Sequence, residues 1–320
     1  RSRSHDYSAG ANYAINKNHT VGGKYMGTIS DYKLLDSPYD YMQVYRNGEL
    51  LTSTDNKTDE SEKERFHNAN VYYIGKFSDK LQVNVDADYV YSQLKHQQQV
   101  TETSQTDASS ELTHMQNDQR NRAVAFKGVF AWNITEKHGF DFGADFSKIS
   151  SWGISVNEEG KIADDQFKNK EAKYAGFVSY RLSSEKWRGS LGLRYEFVHA
   201  INTDQGEVKN KTNYSDLLPS FSLSTSFGRV DLNLDFSSRV NRPSFRQLNN
   251  SVSYNNQYHY EQGNIYLKPQ YVYDTEVSMS YSFFDFRLDY QYIKDYIHPT
   301  VVAISGKPGT VAWMSTNADR

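Results

Sequence analysis

Few side chains in this 320-residue chain have the types and spacing that chemistry needs. Nine histidines occur, but none recurs at the His-x-x-x-His spacing that puts two imidazoles on one helix face for a metal. Cysteine is absent, which removes disulfide scaffolds and thiolate metal sites. There is no Gly-x-Ser-x-Gly nucleophile elbow and no phosphate-cradling glycine loop. Asp164-Asp165 sits in a polar stretch, where solvation is the favoured reading and contact with Ca²⁺ the alternative; together with His199 it is the only place to look for hydrolysis. The densest mixture of recognition groups is Tyr254-Asn255-Asn256-Gln257-Tyr258-His259-Tyr260. Aromatic faces beside amide donors and acceptors suit stacking on sugars, or contact with a chelate or peptide. Tyr254, Asn256, Tyr258, His259 and Tyr260 are therefore the candidate ligand contacts, weighed against a self-packed loop tip. No catalytic residue, metal site or cofactor is expected.

The elements that must carry these residues are strands. In Leu81 to Tyr91 the odd positions are apolar and the even ones nearly all polar, the period of a strand with one oily face. The same alternation runs through Trp187 to Phe197, Val230 to Phe236, Tyr273 to Phe283 and Phe286 to Tyr292. No segment keeps a helical period, so the chain reads as all-β. Short turns are expected at Asn16 to His19, Ser78 to Lys80, Asn133 to His138, Ser183 to Lys186, Gly228-Arg229 and Phe284-Asp285. Long polar loops alternate with them, near Ser30 to Arg65, Ser92 to Asn121, Ser150 to Asn169, Ala200 to Ser215, Ser237 to Gln270 and His298 to Gly309. His96 to Gln119 reads as a mobile loop of low apolar content. Tyr39 to Arg46 reads as a hairpin inside a long loop. About thirteen meander strands remain, the last being Thr310 to Asn317.

Composition sharpens this. Only 37% of residues are hydrophobic, yet 14% are aromatic, with 25 Tyr and 17 Phe, and the net charge is −3. No apolar run approaches the ~20 residues of a membrane helix. Thirty-six basic against 39 acidic residues leave no surplus for nucleic acid, and the aromatic content argues against general disorder. A soluble sandwich is the commoner home for alternating strands, but three features favour a transmembrane barrel. The alternating runs reach the ~9–11 residues of a tilted membrane strand. Phe77, Trp132, Phe140, Trp187, Phe227, Phe283 and Phe286 gather beside the short turns, as an interfacial girdle would. The connections are short at one end and long at the other. Asp86, Asp88, Asp141, Asp145, Arg188, Arg194, Asp231, Asp235, Asp274, Glu276, Arg287 and Asp289 then line a wide polar lumen. Their favoured role is to pair across strands and solvate it. The last strand has no partner after it, and the chain opens directly in polar sequence, so further strands and a leader are expected outside it.

One segment is more specific. It reads Arg239-Val240-Asn241-Arg242-Pro243-Ser244-Phe245-Arg246-Gln247-Leu248-Asn249 and then Gly263-Asn264-Ile265-Tyr266-Leu267-Lys268-Pro269. This resembles the barrel of TonB-dependent outer-membrane receptors of the Bacteroidota type. That family shows Asn-Arg-Pro-Ser, Leu-Asn-Pro, and Gly-Asn-Pro-x-Leu-x-Pro-Glu leading into a strand. Asn250, Ile265 and Gln270 depart from the pattern while order and spacing hold. Asn70 to Tyr91 also looks like a strand–turn–strand of this family. The matching positions are Asn241, Arg242, Pro243, Leu248, Asn249, Gly263, Asn264 and Pro269. Physically, Pro243 and Pro269 end strands because they cannot donate to a ladder, and Gly263-Asn264 suits a positive-φ turn. Together they would fix how a long loop folds over the barrel mouth.

The resemblance implies an incomplete antiparallel up-and-down barrel, with residues 1–320 forming part of one domain of about 22 strands and the plug and closing strands lying outside the chain. It also implies energised import of a scarce nutrient (siderophore, glycan or peptide) across the bacterial outer membrane. The implied partners are outer-membrane lipid, the receptor's own plug, the TonB complex through an N-terminal region, and a surface lipoprotein as a further candidate; nucleic acid is not among them. A passive porin or surface-binding barrel is the second reading and an outer-membrane hydrolase the third.

Overall fold

The alternating runs become strands in the computed structural model, which describes residues 1–35, 40–248, 252–304 and 309–318. In chain order these are β1 (Ser2–Asn16), β2 (His19–Leu34), β3 (Asp40–Arg46), β4 (Glu49–Lys76), β5 (Leu81–Ser104) and β6 (Ser110–Asn133). Then come β7 (His138–Asn157), β8 (Asp165–Ser183), β9 (Trp187–Asp204), β10 (Glu207–Phe227) and β11 (Val230–Asn241). The remainder are β12 (Val252–Asn256), β13 (His259–Gln262), β14 (Gln270–Tyr281), β15 (Phe284–Lys294), β16 (Ile297–Ala303) and β17 (Val311–Asn317). No described residue is helical.

One sheet holds thirteen strands, in the order β1-β2-β4-β5-β6-β7-β8-β9-β10-β11-β14-β15 with β3 attached to β4. Every neighbour pair in it is antiparallel. The expected hairpin is β3 against the start of β4, although Tyr39 lies outside the described residues. The membership of the count differs from expectation. Val311–Asn317 does not extend the meander; it joins β12, β13 and β16 in a separate four-stranded sheet. Its alternation is real, but a strand can satisfy it on any apolar surface. The last short turn is also displaced. It is Ser282-Phe283, with Ser282 at φ 53, rather than Phe284-Asp285.

The largest difference concerns the long loops. Most are not loops. β4 is 28 residues long, and β5 and β6 are 24 each, far beyond the ~9–11 that cross a bilayer. His96 to Gln119 is mostly paired ladder, with Gln97 opposite Gln116 and Gln99 opposite His114. Polar residues on both faces carry no hydrophobic period, yet the backbone still needs hydrogen-bond partners, and a continued hairpin supplies them.

The two faces of the sheet are distinguished by what covers them. On β8, Asn169 is 1% exposed, whereas Lys168 and Lys170 on either side are exposed. The Asn169 face lies under the returning chain described below and is the lumen side. Its charges pair across strands: Arg181 with Asp141 at 2.6 Å, Arg194 with Asp145 at 2.7 Å, and Arg287 with Glu276 at 3.0 Å. The opposite face exposes Val71, Tyr89, Phe126, Phe142, Val178, Leu191, Leu193 and Leu217, an apolar surface suited to lipid. At its short-turn end Trp187 meets Phe227 edge-on at 5.5 Å, and Phe77, Trp132, Phe283 and Phe286 are exposed beside them.

Close backbone approach explains one glycine. A Cβ at Gly143 would run into the carbonyl of Gly128 on β6 and the ring of Phe177 on β8. Because the first obstacle is backbone, relief requires moving a strand. Gly143→Ala is expected to lower unfolding stability by about 1–3 kcal/mol, measured by denaturant unfolding in detergent or lipid.

Candidate functional site

The chain between β11 and β14 folds back onto the lumen wall. β11 ends at Asn241 and Pro243 follows two residues later; Pro269 immediately precedes β14. Both prolines bound strands as expected. Between them a turn is capped locally: Ser244 N donates to Gln247 Oε1 at 2.9 Å, and Leu248 N donates to Ser244 O at 3.0 Å. Asn249 lies outside the described residues.

Arg242 anchors the start of this segment. Its Nη2 lies 2.8 Å from Glu196 Oε2 and 2.9 Å from Asp216 Oδ2. Both carboxylates are buried and sit opposite one another on β9 and β10. Asp216 also accepts the Tyr271 hydroxyl at 2.8 Å, and Glu196 accepts Arg194 Nε at 2.7 Å. Four strands of the wall and the returning chain therefore share one charge network. Such pairs supply geometry as much as energy, since burying each ion costs solvation.

Asn264 anchors the far end. Its backbone N donates to Gln247 O at 2.6 Å and its Nδ2 to Ser315 O at 3.2 Å; its Oδ1 accepts Tyr266 N at 3.0 Å. Neither Gly263 nor Asn264 has positive φ, which corrects the expected turn type: the Asn side chain closes the turn without left-handed backbone. Ile265, which replaces the usual proline, and Leu248 are each 9% exposed, and Leu267 is 2% exposed. Leu248 and Ile265 sit against Phe167, Asn169 and Asn202 of the wall, and Asn210 Nδ2 donates to Ile265 O at 2.8 Å.

The tyrosine-rich stretch forms β12 and β13 and part of a small apolar core. Tyr254 is 2% exposed and Tyr260 6%, edge-on at 5.6 Å, packed with Val100, Met115, Ile162 and Ala312. The Tyr254 hydroxyl donates to Glu102 on β5, which also accepts Gln257 N at 3.0 Å. Burial and this carboxylate hold the Tyr254 phenol well above its usual range. These two rings are thus spent on packing. Asn256 Oδ1 accepts Tyr258 N at 3.0 Å, and the His259 ring meets Trp313 at 5.8 Å. Tyr258 and His259 are only half-buried and are the aromatic groups of this stretch left near a surface.

Between this small sheet and the lumen face of β4 to β8 lies a cleft of about 710 Å³. Its walls include Glu62, His96, Phe167, Arg246, Glu261 and Trp313. It offers aromatic faces, both charge signs and amides, and most of these residues come from positions whose polar alternation alone did not single them out.

The residues considered for hydrolysis do not converge. Asp164 accepts Asn157 N at 2.9 Å at the β7–β8 hairpin. His199 bonds Asn213 at 2.6 Å and stands opposite Ala172, seven residues from Asp165 along β8, or about 23 Å at ~3.3 Å per residue. His114, Glu158 and Glu159 do place ligand atoms within 4.8 Å of one another. However, Glu159 already accepts the His114 amide at 2.7 Å and ring at 2.5 Å, and Glu158 accepts Gln116 Nε2 at 2.5 Å. That cluster reads as closure of the hairpin. Desolvation works against ionised Glu159, but the His114 bonds win and hold its carboxyl below the usual range.

Comparison with known proteins agrees with this architecture. No curated protein sequence matches. Among solved structures the chain is similar to BauA, the ferric preacinetobactin receptor of Acinetobacter baumannii, at TM-score 0.56 and 12% identity, covering 98% of this chain and 50% of that one. It is similar to the copper transporter OprC at TM-score 0.58 and 12% identity, covering 99% and 56%. It is also similar to the FrpB iron transporter of Neisseria meningitidis at TM-score 0.52 and 11% identity, covering 99% and 48%. At these identities the likeness is one of fold, and the chain spans about half the length of those proteins. Residues 75–320 match the model of the outer membrane protein beta-barrel family. The alternating wall, the aromatic short-turn end and this match place the chain in the bacterial outer membrane, and it belongs to the outer membrane protein beta-barrel family.

Proposed function

We propose that this chain is part of the barrel of a TonB-dependent import receptor of the Bacteroidota type. In this reading residues 1–320 supply roughly half of a single barrel of about 22 strands; a plug domain and the closing strands are supplied from the rest of the protein. The cargo is a scarce nutrient of the siderophore, glycan or peptide class. It enters from the long-hairpin side, where Tyr258 and His259 at the β12–β13 turn offer a first contact, and is held at the cleft by Trp313, Arg246 and Glu261. The TonB complex, reached through an N-terminal region, energises release, and a surface lipoprotein is a candidate lid. The observation that carries the reading is the return segment, Arg242 to Pro269, folded into the lumen. A porin needs an open bore, whereas here a motif-bearing segment is bonded to the wall at both ends, through Arg242 and through Ile265 O, which accepts Asn210 Nδ2. Receptor and transporter structures of the same fold support it.

Planar-bilayer conductance of the full-length protein tests it. A plugged receptor is expected to show no steady conductance. A continuous open conductance would make the protein a passive porin and overturn the reading.

A further inference from the structure

The lipid-facing surface is uncharged up to a definite height and then becomes basic. On β4 to β8, the outward side chains nearest the short turns are apolar, small or aromatic, as in the row Val85, Gly128, Ala144 and Gly176 and the row Ala87, Phe126, Phe146 and Tyr174. The first charged outward residues are Arg65, Arg122, Lys148, Arg120 and Lys170. They stand 10 to 13 residues from the short-turn ends of their strands. At ~3.3 Å per residue and a tilt of ~40°, that is roughly 25–33 Å up the wall. An outer-membrane barrel's apolar band is about 25 Å tall, so these cations sit at its upper boundary.

Their neighbours reinforce the assignment. The other outward positions at this height on these strands are Lys63, Tyr91, Gln93, Ser150 and Ala172, with no carboxylate, although acids outnumber bases in the whole chain. Arg122 lies 5.9 Å from the Tyr91 ring and Arg120 5.1 Å from the Trp152 ring, aromatic partners of the kind found at a membrane interface. All five cations are exposed. Arg120 pairs with Asp118 at 2.9 Å; the other four pair with no carboxylate among the described residues.

We propose that this patch binds the phosphorylated headgroup of a lipid in the outer leaflet. The depth selects the occupant: at the edge of the apolar band the adjacent molecules are lipids, and a soluble acidic partner would have to displace them. The charge selects its chemistry, since Arg and Lys at this level attract anionic headgroups and the guanidinium fork matches phosphate oxygens. The width fits as well. Four strand intervals at ~4.8 Å span about 19 Å, which accommodates a headgroup carrying two phosphates. The site lies on the outside of the wall and is independent of the cargo cleft.

The test uses full-length protein in neutral detergent, doped with bisphosphorylated lipid A, with the same lipid dephosphorylated, or with inorganic phosphate. Thermal midpoint and lipid retention by native mass spectrometry are read. Phosphorylated lipid A is expected to raise the midpoint and remain bound, while the other two do neither. Each charge neutralised among Arg65→Gln, Arg122→Gln, Lys148→Gln and Lys170→Gln should weaken apparent affinity about fivefold. The lumen-facing control Lys127→Gln should leave it unchanged. Equal retention of dephosphorylated lipid by the wild-type protein would overturn the proposal without any variant needing to fold. So would equal protection by inorganic phosphate, or undiminished binding when these four Gln substitutions are combined in one chain.

Discussion

Replacing Arg242 with Met is expected to destabilise the docked return segment by about 3–5 kcal/mol. The reason is what remains. Glu196 and Asp216 side chains are 8% and 4% exposed, and Arg242 is the cation between them. Arg194 still holds one oxygen of Glu196, but among the described residues Asp216 keeps only the Tyr271 hydroxyl as a side-chain partner. Two adjacent buried carboxylates would then repel one another and lack solvation. The change is read by amide exchange at Leu248, Asn264 and Leu267, each bonded within the segment, and by the unfolding midpoint. Exchange at all three should accelerate. Adding Glu196→Gln and Asp216→Asn should restore most of the loss, because the penalty comes from uncompensated charge. Unchanged exchange in Arg242→Met would mean that Leu248, Ile265 and Leu267 hold the segment by packing alone.

Placing Arg at Leu191 is expected to cost about 2–4 kcal/mol in lipid. Leu191 is 59% exposed on the outer face, between Tyr180 and Phe221 in the register. It lies four residues into β9, about 10 Å up the wall and near the middle of the apolar band. A guanidinium there must shed water or drag it into the bilayer. The same change at Ser190, whose side chain faces the lumen and bonds Ser222 at 2.8 Å, should cost much less, because that side is wet. Equal cost at both positions would mean that the faces are misassigned.

The two predictions draw on different levels of the molecule. The face of Leu191 follows from period alone. Alternation is a local property, and a one-residue slip would bury Asp231 or Arg188 in lipid, so sequence is enough to separate the faces, mark the short turns and place the aromatic ends. The return segment is also legible as a motif, and its prolines bound strands as their missing N–H groups require.

What Arg242 bonds to was not legible. Its partners lie 46 and 26 positions earlier, and nothing local distinguishes Glu196 or Asp216 from other lumen carboxylates. The same holds for Tyr254 and Tyr260. Composition made them ligand contacts, and packing against Val100 and Met115 of the long hairpin put them inside. That hairpin itself reads as loop, because apart from Val100 and Met115 its buried positions are polar and so carry no hydrophobic period, while its backbone still closes its hydrogen bonds. Val311–Asn317 alternates like a wall strand, yet it pairs with β13 and β16. The sequence by itself determined which side of each strand meets lipid, since transfer energy acts residue by residue. The tertiary structure alone decided which strands share a sheet and which polar groups are buried together, since those depend on partners far away along the chain.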